Sequence, residues 1–328
     1  MLNKFFYTLK CLIFIFLIFF IFSCEFSPYP WIALDDENNS NNNYDNNDNT
    51  KPALFVAVGD NGKAWYSYDG INWTESGPGG IILFAVTNGN SRFVTVGGIG
   101  QIWYSDDGKT WNDSSPDPGG STLKGITYGN GRFVTVGWNG QIWWSDNGIN
   151  WTDSSPEPGV MDRHLQNVTY GNNRFVAIGL DGLAWYSNDG KNWIESSPVG
   201  DNLNGIICSN NYFVAVGANG RRIRSIDGIT WTDDTSGGIG SLNEIVFGNG
   251  QFVAVGNIAR RIRSIDGKTW TDDINGDKSL QSITYGLGKF VTVGFEGQAW
   301  WSIDGSEDSW ISIDIGTTEH IMGITFRP

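Results

Sequence analysis

The chain has 328 residues, a formal net charge of -14, 44 glycines and 16 tryptophans. So acidic a surface repels phosphate backbones and anionic headgroups, which excludes nucleic acid as a partner and lipid charge as a membrane hold. Abundant glycine with abundant aromatic residues suits many short strands joined by tight turns, so an all-β fold is expected.

Residues 1–23 read as a targeting segment. Lys4 and Lys10 supply a basic start, and Leu12 to Phe22 is an apolar run too short to span a bilayer comfortably. Ile21-Phe22-Ser23-Cys24 closes the run and resembles a bacterial lipobox. The resemblance implies cleavage before Cys24, acylation of its thiol, and an exported protein held on a membrane of the bacterial cell envelope, since two or more acyl chains anchor stably. An ordinary signal peptide and an uncleaved anchor are the alternatives. With Cys11 removed and Cys24 acylated, Cys208 is the one remaining thiol, so neither an intrachain disulfide nor a cysteine-based metal site is expected. Residues 24–52 are dense in Asn, Asp and Ser, as in Asn38-Asn39-Ser40-Asn41-Asn42-Asn43, and are expected to form a disordered tether.

Residues 53–328 repeat one pattern: Phe-Val-x-Val-Gly, a glycine-containing turn, an aromatic strand, then Ser-x-Asp-Gly and Trp. The phenylalanines fall at Phe55, Phe93, Phe133, Phe175, Phe213, Phe252 and Phe290, spaced 38 to 42 residues apart. A period near 40 signals a repeat architecture. The third copy holds four strand signals, at 123–128 (A), 132–136 (B), 141–145 (C) and 150–154 (D), separated by Gly-Asn-Gly, Trp-Asn-Gly and Asp-Asn-Gly. Four short antiparallel strands per copy make a propeller blade. The first copy starts at strand B, and Ile321-Met322-Gly323-Ile324-Thr325-Phe326 matches the strand A of other copies, such as Leu123 to Tyr128. The C-terminal strand is therefore expected to close the first blade of a seven-bladed propeller and remove its open edge.

The C–D turns carry a family resemblance. Ser67-Tyr68-Asp69-Gly70-Ile71-Asn72-Trp73 and Ser105-Asp106-Asp107-Gly108-Lys109-Thr110-Trp111 resemble the Asp-box (BNR) repeat of sialidase-like propellers and of propellers of the photosystem II assembly factor type. The copies here have one residue fewer between Asp and Gly than the family's box. A structural role follows from the residues themselves: the carboxylate accepts backbone N–H groups across the turn, glycine supplies positive φ, and tryptophan packs back on the sheet.

Catalytic constellations are sought against that repeat. A sialidase needs three converging arginines. Arg92, Arg132 and Arg174 all occupy one repeat position, where other copies have Leu54, Tyr212, Gln251 and Lys289, so they are expected to be solvated strand ends. His164 and His320 both fall in loops between blades and assemble no triad. No metal- or cofactor-binding motif is present.

Two features stand out from the repeat. Copies five and six replace the aromatic strand C by Arg221-Arg222-Ile223-Arg224 and Arg260-Arg261-Ile262-Arg263. Arg222, Arg224, Arg261 and Arg263 are a candidate anion patch. The same copies gain Asp233-Asp234 and Asp272-Asp273, and internal pairing explains both changes. A two-residue Asp-Gly hairpin would set Arg221 opposite Asp234, Arg222 opposite Asp233, Arg260 opposite Asp273 and Arg261 opposite Asp272. Arg224 and Arg263 would then face Trp231 and Trp270. The second feature is the set of B–C turns, which vary while the C–D turns do not. Asp60, Trp138, Asn139, Asp181, Asn219, Phe295 and Glu296 form a candidate binding face there, with Trp138 and Phe295 suited to a sugar face or a protein partner.

The sequence thus reads as a monomeric, membrane-tethered, non-catalytic propeller that binds a protein or glycan. A carbohydrate-active enzyme of the Asp-box type, with a carboxylate pair, is the alternative.

Overall fold

The computed structural model describes residues 51–116, 120–156, 163–196, 200–235, 240–274 and 278–328. The expected targeting segment, Cys24 and nearly all of the expected tether lie outside the described residues. The rest forms seven four-stranded antiparallel sheets, each in the order A–B–C–D. The A strands are Ile321–Arg327 in blade 1, then Leu83–Gly89, Leu123–Gly129, Leu165–Gly171, Leu203–Ser209, Leu242–Gly248 and Leu280–Gly286 in blades 2 to 7. The C-terminal strand pairs with Leu54–Gly59, the strand B of blade 1, setting Leu54 against Arg327 and Phe55 against Phe326. The expected closure is therefore present.

Composition follows position within each blade. Strand B is covered on both faces by neighbouring sheets, and its Phe-Val-x-Val run is buried throughout, with every phenylalanine 0–1% exposed. Strand D lies outermost and is polar; in the third blade it shrinks to Thr152–Asp153, with both residues exposed. At one end of strand A an aromatic ring packs against the strand B phenylalanine, as in Tyr128–Phe133 and Phe55–Phe326, each with centroids 4.6 Å apart. In blade 5 Cys208 takes that place, and burial pushes its thiol up to about 11, which makes it unreactive.

The repeated turn joins one blade to the next. In blade 6 the Ser264 hydroxyl donates to the Asp266 carboxylate at 2.9 Å and accepts from the Gly267 N–H at 2.9 Å. The N–H groups of Thr269 and Lys268 donate to the same carboxylate and hold Asp266 down at about 2. Gly267, at φ +70°, is wedged between two blades: a Cβ there would lie 3.0 Å from Val214 of blade 5 and 3.4 Å from Phe252 of blade 6.

Every strand A also carries a bulge at one position. Leu83 pairs with Gly97 and Ala85 with Val96, so Phe84 is the extra residue. The equivalent bulges fall at Lys124, Gln166, Asn204, Asn243, Gln281 and Met322. A bulge turns a side chain out of the regular alternation; here it is the position that supplies the axis.

Removing residues 321–328 should leave strand B of blade 1 as a bare apolar edge. The expected loss is on the order of the whole stability, about 5–15 kcal/mol. Thermal unfolding and size-exclusion chromatography of the truncated protein would show aggregation in place of a cooperative melt.

Candidate functional site

The B–C turns and the A–B and C–D turns lie on opposite faces. Each B–C turn is a single three-residue turn whose second residue adopts a left-handed backbone, from Asn61 at φ 56° to Glu296 at φ 54°. Asn and Asp tolerate this region, but β-branched residues do so at a cost. Ile99 and Ile258 nevertheless occupy it, 55% and 38% exposed.

The predicted face residues all fall on these turns. Trp138 is 42% exposed, and Asn139, Asp181, Asn219 and Glu296 are exposed. Asp60 and Phe295 are half-buried. Several are tied to the adjoining loops between blades. Asn139 donates to the Ser121 hydroxyl at 2.8 Å, and Glu296 pairs with Lys278 at 2.7 Å, a contact that lowers its carboxyl pKa. Asn219 donates to Asp201 at 3.4 Å, and the Asp181 backbone N–H donates to the Asn202 Oδ1 at 2.9 Å. His164 and His320 accept the N–H groups of Asn139 and Glu296 at Nδ1 and lie against the rings of Trp138 and Phe295. Both histidines thus serve as struts beneath the turns. Beside Asn139 a groove of about 280 Å³ is lined by Trp185, Trp193 and the Arg163–Glu195 ion pair.

At the axis, between the seven A strands, opens a channel of about 260 Å³. It starts beneath the B–C turns, where each strand A begins, and its wall is the ring of bulge residues, joined in most blades by the residue after and by the apolar side chains of Val86, Ile126, Ile283 and Ile324. The bulge column reads Phe84, Lys124, Gln166, Asn204, Asn243, Gln281 and Met322; the next column is mostly Ala, Gly or Ser, with Asn167 and Glu244 as the exceptions. Asn204 and Asn243 donate to the Leu242 and Leu280 carbonyls of the following blades at 2.8 and 2.7 Å, so the wall is laced from blade to blade.

Two ionisable groups sit in this wall. Glu244 reaches past blade 5 to accept from Asn167 at 2.9 Å, and its other oxygen accepts the Ile245 N–H at 2.9 Å. Its path crosses Gly205, where a Cβ would lie 2.7 Å from the Glu244 Cα. Burial pushes the carboxyl up to about 7 against the pull of those two hydrogen bonds. The surface that Glu244 does expose belongs to the narrow channel, so desolvation still governs it. Lys124 projects from blade 3, its Nζ 3.6 Å from the Phe84 ring centroid and 6.0 Å from that of Trp138. Burial pushes its ammonium down to about 8, and no carboxylate among the described residues offsets that. Sequence reasoning missed both groups. The available signal was a pair of columns directly after a near-constant leucine, the first varied in chemistry and the second small in all copies but those with Asn167 and Glu244.

The arginine cluster lies in the outer strands. Arg221, Arg224 and Arg260 pair with Asp233, Asp234 and Asp272. Arg222, Arg260 and Arg261 are at most 4% exposed. The expected register is corrected by one residue: Arg224 pairs with Thr232, placing Arg222 opposite Asp234, and Arg261 pairs with Asp273. The C–D connection is an odd-numbered loop, 225–231 in blade 5, and not a two-residue hairpin. The cation–π partners change accordingly. Arg224 lies over Tyr212, and Arg261 lies between Trp300 and Trp310 of blade 7 at 4.9 Å from each. Arg263 pairs with Thr271 across the same strands.

Arg92, Arg132 and Arg174 are not solvated strand ends. Each is half-buried over the strand C aromatic of its own blade. Arg92 bonds Asp106 of its own C–D turn at 2.8 Å and the Asn147 carbonyl of the next blade at 2.7 Å, and the other two repeat the pattern. They are clamps between turns. Where the arginine is missing, the turn residue it would hold is apolar: Tyr68, Ile226, Ile265 and Ile303, 49 to 77% exposed.

No protein-family model matches the chain, and no curated protein sequence matches it. Solved structures do. The computationally designed Ika8 protein is similar with a TM-score of 0.60 at 11% identity, over 85% of this chain and 92% of that one. YCF48 bound to a D1 peptide is similar at 0.56 and 16%, over 70% of this chain and 80% of that one. YCF48 from Cyanidioschyzon merolae is similar at 0.55 and 13%, over 72% and 86%. At such identities the likeness is one of fold.

Glu244 makes stability depend on pH with a defined sign. Its folded pKa lies above its usual 4.5, so its contribution is full below about pH 4.5 and is lost as pH rises to about 7. Glu244→Gln should therefore become more stable relative to the parent across that window, with the difference constant above it. Urea denaturation of both proteins from pH 4 to 8 reads this directly, and a pH-independent difference would contradict the assignment.

Proposed function

We propose that this protein is a membrane-tethered, non-catalytic binding module that presents its B–C turn face to a protein partner. The observation that carries the reading is Trp138, an exposed indole on a ring of non-repeating turns, 6.0 Å from the Lys124 ammonium of the axial channel and next in sequence to Asn139 of the aromatic-lined groove. Tryptophan is the residue type most enriched at energetic centres of interfaces. The strained, exposed Ile99 and Ile258 on the same face support it, because such backbone cost is kept where a side chain must be displayed. The structurally similar YCF48 bound to a D1 peptide provides a precedent for peptide binding on this architecture.

The opposite face suits the membrane side. Lys51, the first described residue, is held there by the carbonyls of Ser91 and Asp106 at 2.6 and 2.9 Å. Ile226, Ile265, Ile303, Leu287 and Tyr68 are exposed on it. With lipid on Cys24, the C–D turns would rest near the bilayer and the B–C turns would point away. The non-catalytic part of the reading is supported by the use of the repeated acids inside their own turns and of the two histidines as struts.

Two measurements test this. Metabolic labelling with a fatty acid should mark the parent and not Cys24→Ser; an unlabelled parent would refute the tether. A photo-crosslinking residue placed at Trp138 should capture protein, and one placed at Ile265 should capture lipid. The reverse pattern would refute the orientation, and turnover of fluorogenic glycosides would refute the non-catalytic role.

A further inference from the structure

The geometry points to a carboxylate-binding site in the axial channel, centred on the Lys124 ammonium and closed by the Phe84 ring and the carboxamides of Gln166, Asn204, Asn243 and Gln281. It goes beyond the turn-face reading and does not depend on it, because a free acid would fill the channel whether or not a protein docks on the turns. Four features of the site carry it.

First, Lys124 is the bulge residue of its strand, the position that every blade aims at the axis. Second, the cation is desolvated there with no carboxylate partner among the described residues, and its Nζ lies over the Phe84 ring, 3.6 Å from the centroid. A buried charge of this kind is costly until an opposite charge arrives. Third, apart from Glu244 the remaining wall is uncharged, and its carboxamides stand among apolar side chains such as Val86, Ile126, Ile283 and Met322. Asn204 and Asn243 spend an amide N–H on the neighbouring blade, which fixes the carboxamide planes before any ligand enters. Fourth, the size and charge select the ligand. About 260 Å³ admits a small acid or the end of a chain and not a folded element. One lysine with no arginine in the wall, and with Glu244 across the channel, matches a monoanion and not a phosphate dianion.

Lys124 and Glu244 are the two ionisable side chains lining the channel among the described residues. Both act on binding in the same direction as pH rises. Glu244 gains negative charge near 7 and Lys124 loses positive charge near 8, so affinity should fall through neutral and mildly alkaline pH.

The test uses the full chain with its lysines reductively 13C-methylated, which keeps their charge. Acetate, a short apolar peptide with a free C-terminus, and the same peptide as its C-terminal amide are titrated in turn, and the lysine signals are followed by NMR. The expected result is a saturable shift of the Lys124 signal with acetate or the peptide acid and none with the amide. Indole fluorescence should report binding weakened about tenfold or more in Lys124→Gln. That variant is expected to fold, because Gln166 and Gln281 already occupy the equivalent position; Lys124→Met, matching Met322, is the second variant. Equal affinity for acetate and the peptide acid would identify a free small acid as the ligand. Tighter binding of the peptide acid would identify a chain terminus. No saturable Lys124 shift with any probe, equal binding of the amide, or unchanged binding in both variants would overturn the proposal.

Discussion

The glycine of each C–D turn is pinched between two sheets, touching the phenylalanine of its own strand B and a valine of the strand B before it. Gly108 meets Phe93 and Val56, Gly148 meets Phe133 and Val94, and the series runs round to Gly70, which meets Phe55 and Val291. A side chain at that point would prise the sheets apart. The contact explains why the box tolerates so little change. Serine and aspartate must hold the turn shut by accepting and donating within it, and so each carboxylate is consumed locally. It also explains where freedom remains. Strand D lies outside the pinch and the B–C turns lie at the far face, and these are the places where the copies diverge.

Much of this was legible in the sequence because the pinch recurs. Seven phenylalanines at a period near 40 and a strand A found only at the C-terminus were enough for blade number and closure. Three things were not legible. The C–D register turned on an odd loop length, and a period-two pattern inverts when one residue is miscounted. The role of Arg92, Arg132 and Arg174 depended on a carbonyl in the next blade, which no within-copy comparison reveals. The axial wall depended on a bulge that no proline marks and that a following glycine accompanies in only three blades. The start of strand A scans as ordinary alternation, yet its second residue is thrown toward the axis in every blade. The column holding Lys124 was therefore visible as variation but not as a place.

The molecule is less symmetric than its repeat. Blades 2 to 4 tie neighbouring C–D turns with arginine and present polar residues on that face, whereas blades 5 to 7 and blade 1 present isoleucine or tyrosine. Blades 5 and 6 move their cations into strand C instead, where aspartates of strand D and the tryptophans of blade 7 receive them. Buried ion pairs of this kind add little net stability, so their effect is better sought in holding particular strands in register than in strengthening the fold.

Closure by the C-terminal strand also sets the order in which the chain can fold. Phe55 waits for Phe326, across almost the whole domain. Blades 2 to 7 are each built from contiguous sequence and can form as they appear, but the ring stays open until the last residues arrive. Joining such distant segments carries the largest loop-closure entropy in the molecule and a high contact order, so sealing the ring is expected to be its slow step. Until then one flank of the nascent propeller is an unpaired, wholly apolar strand. A chain that crosses a membrane before folding would carry that exposed flank with it, and would depend on speed or on a chaperone to keep it from finding the edge of a neighbour.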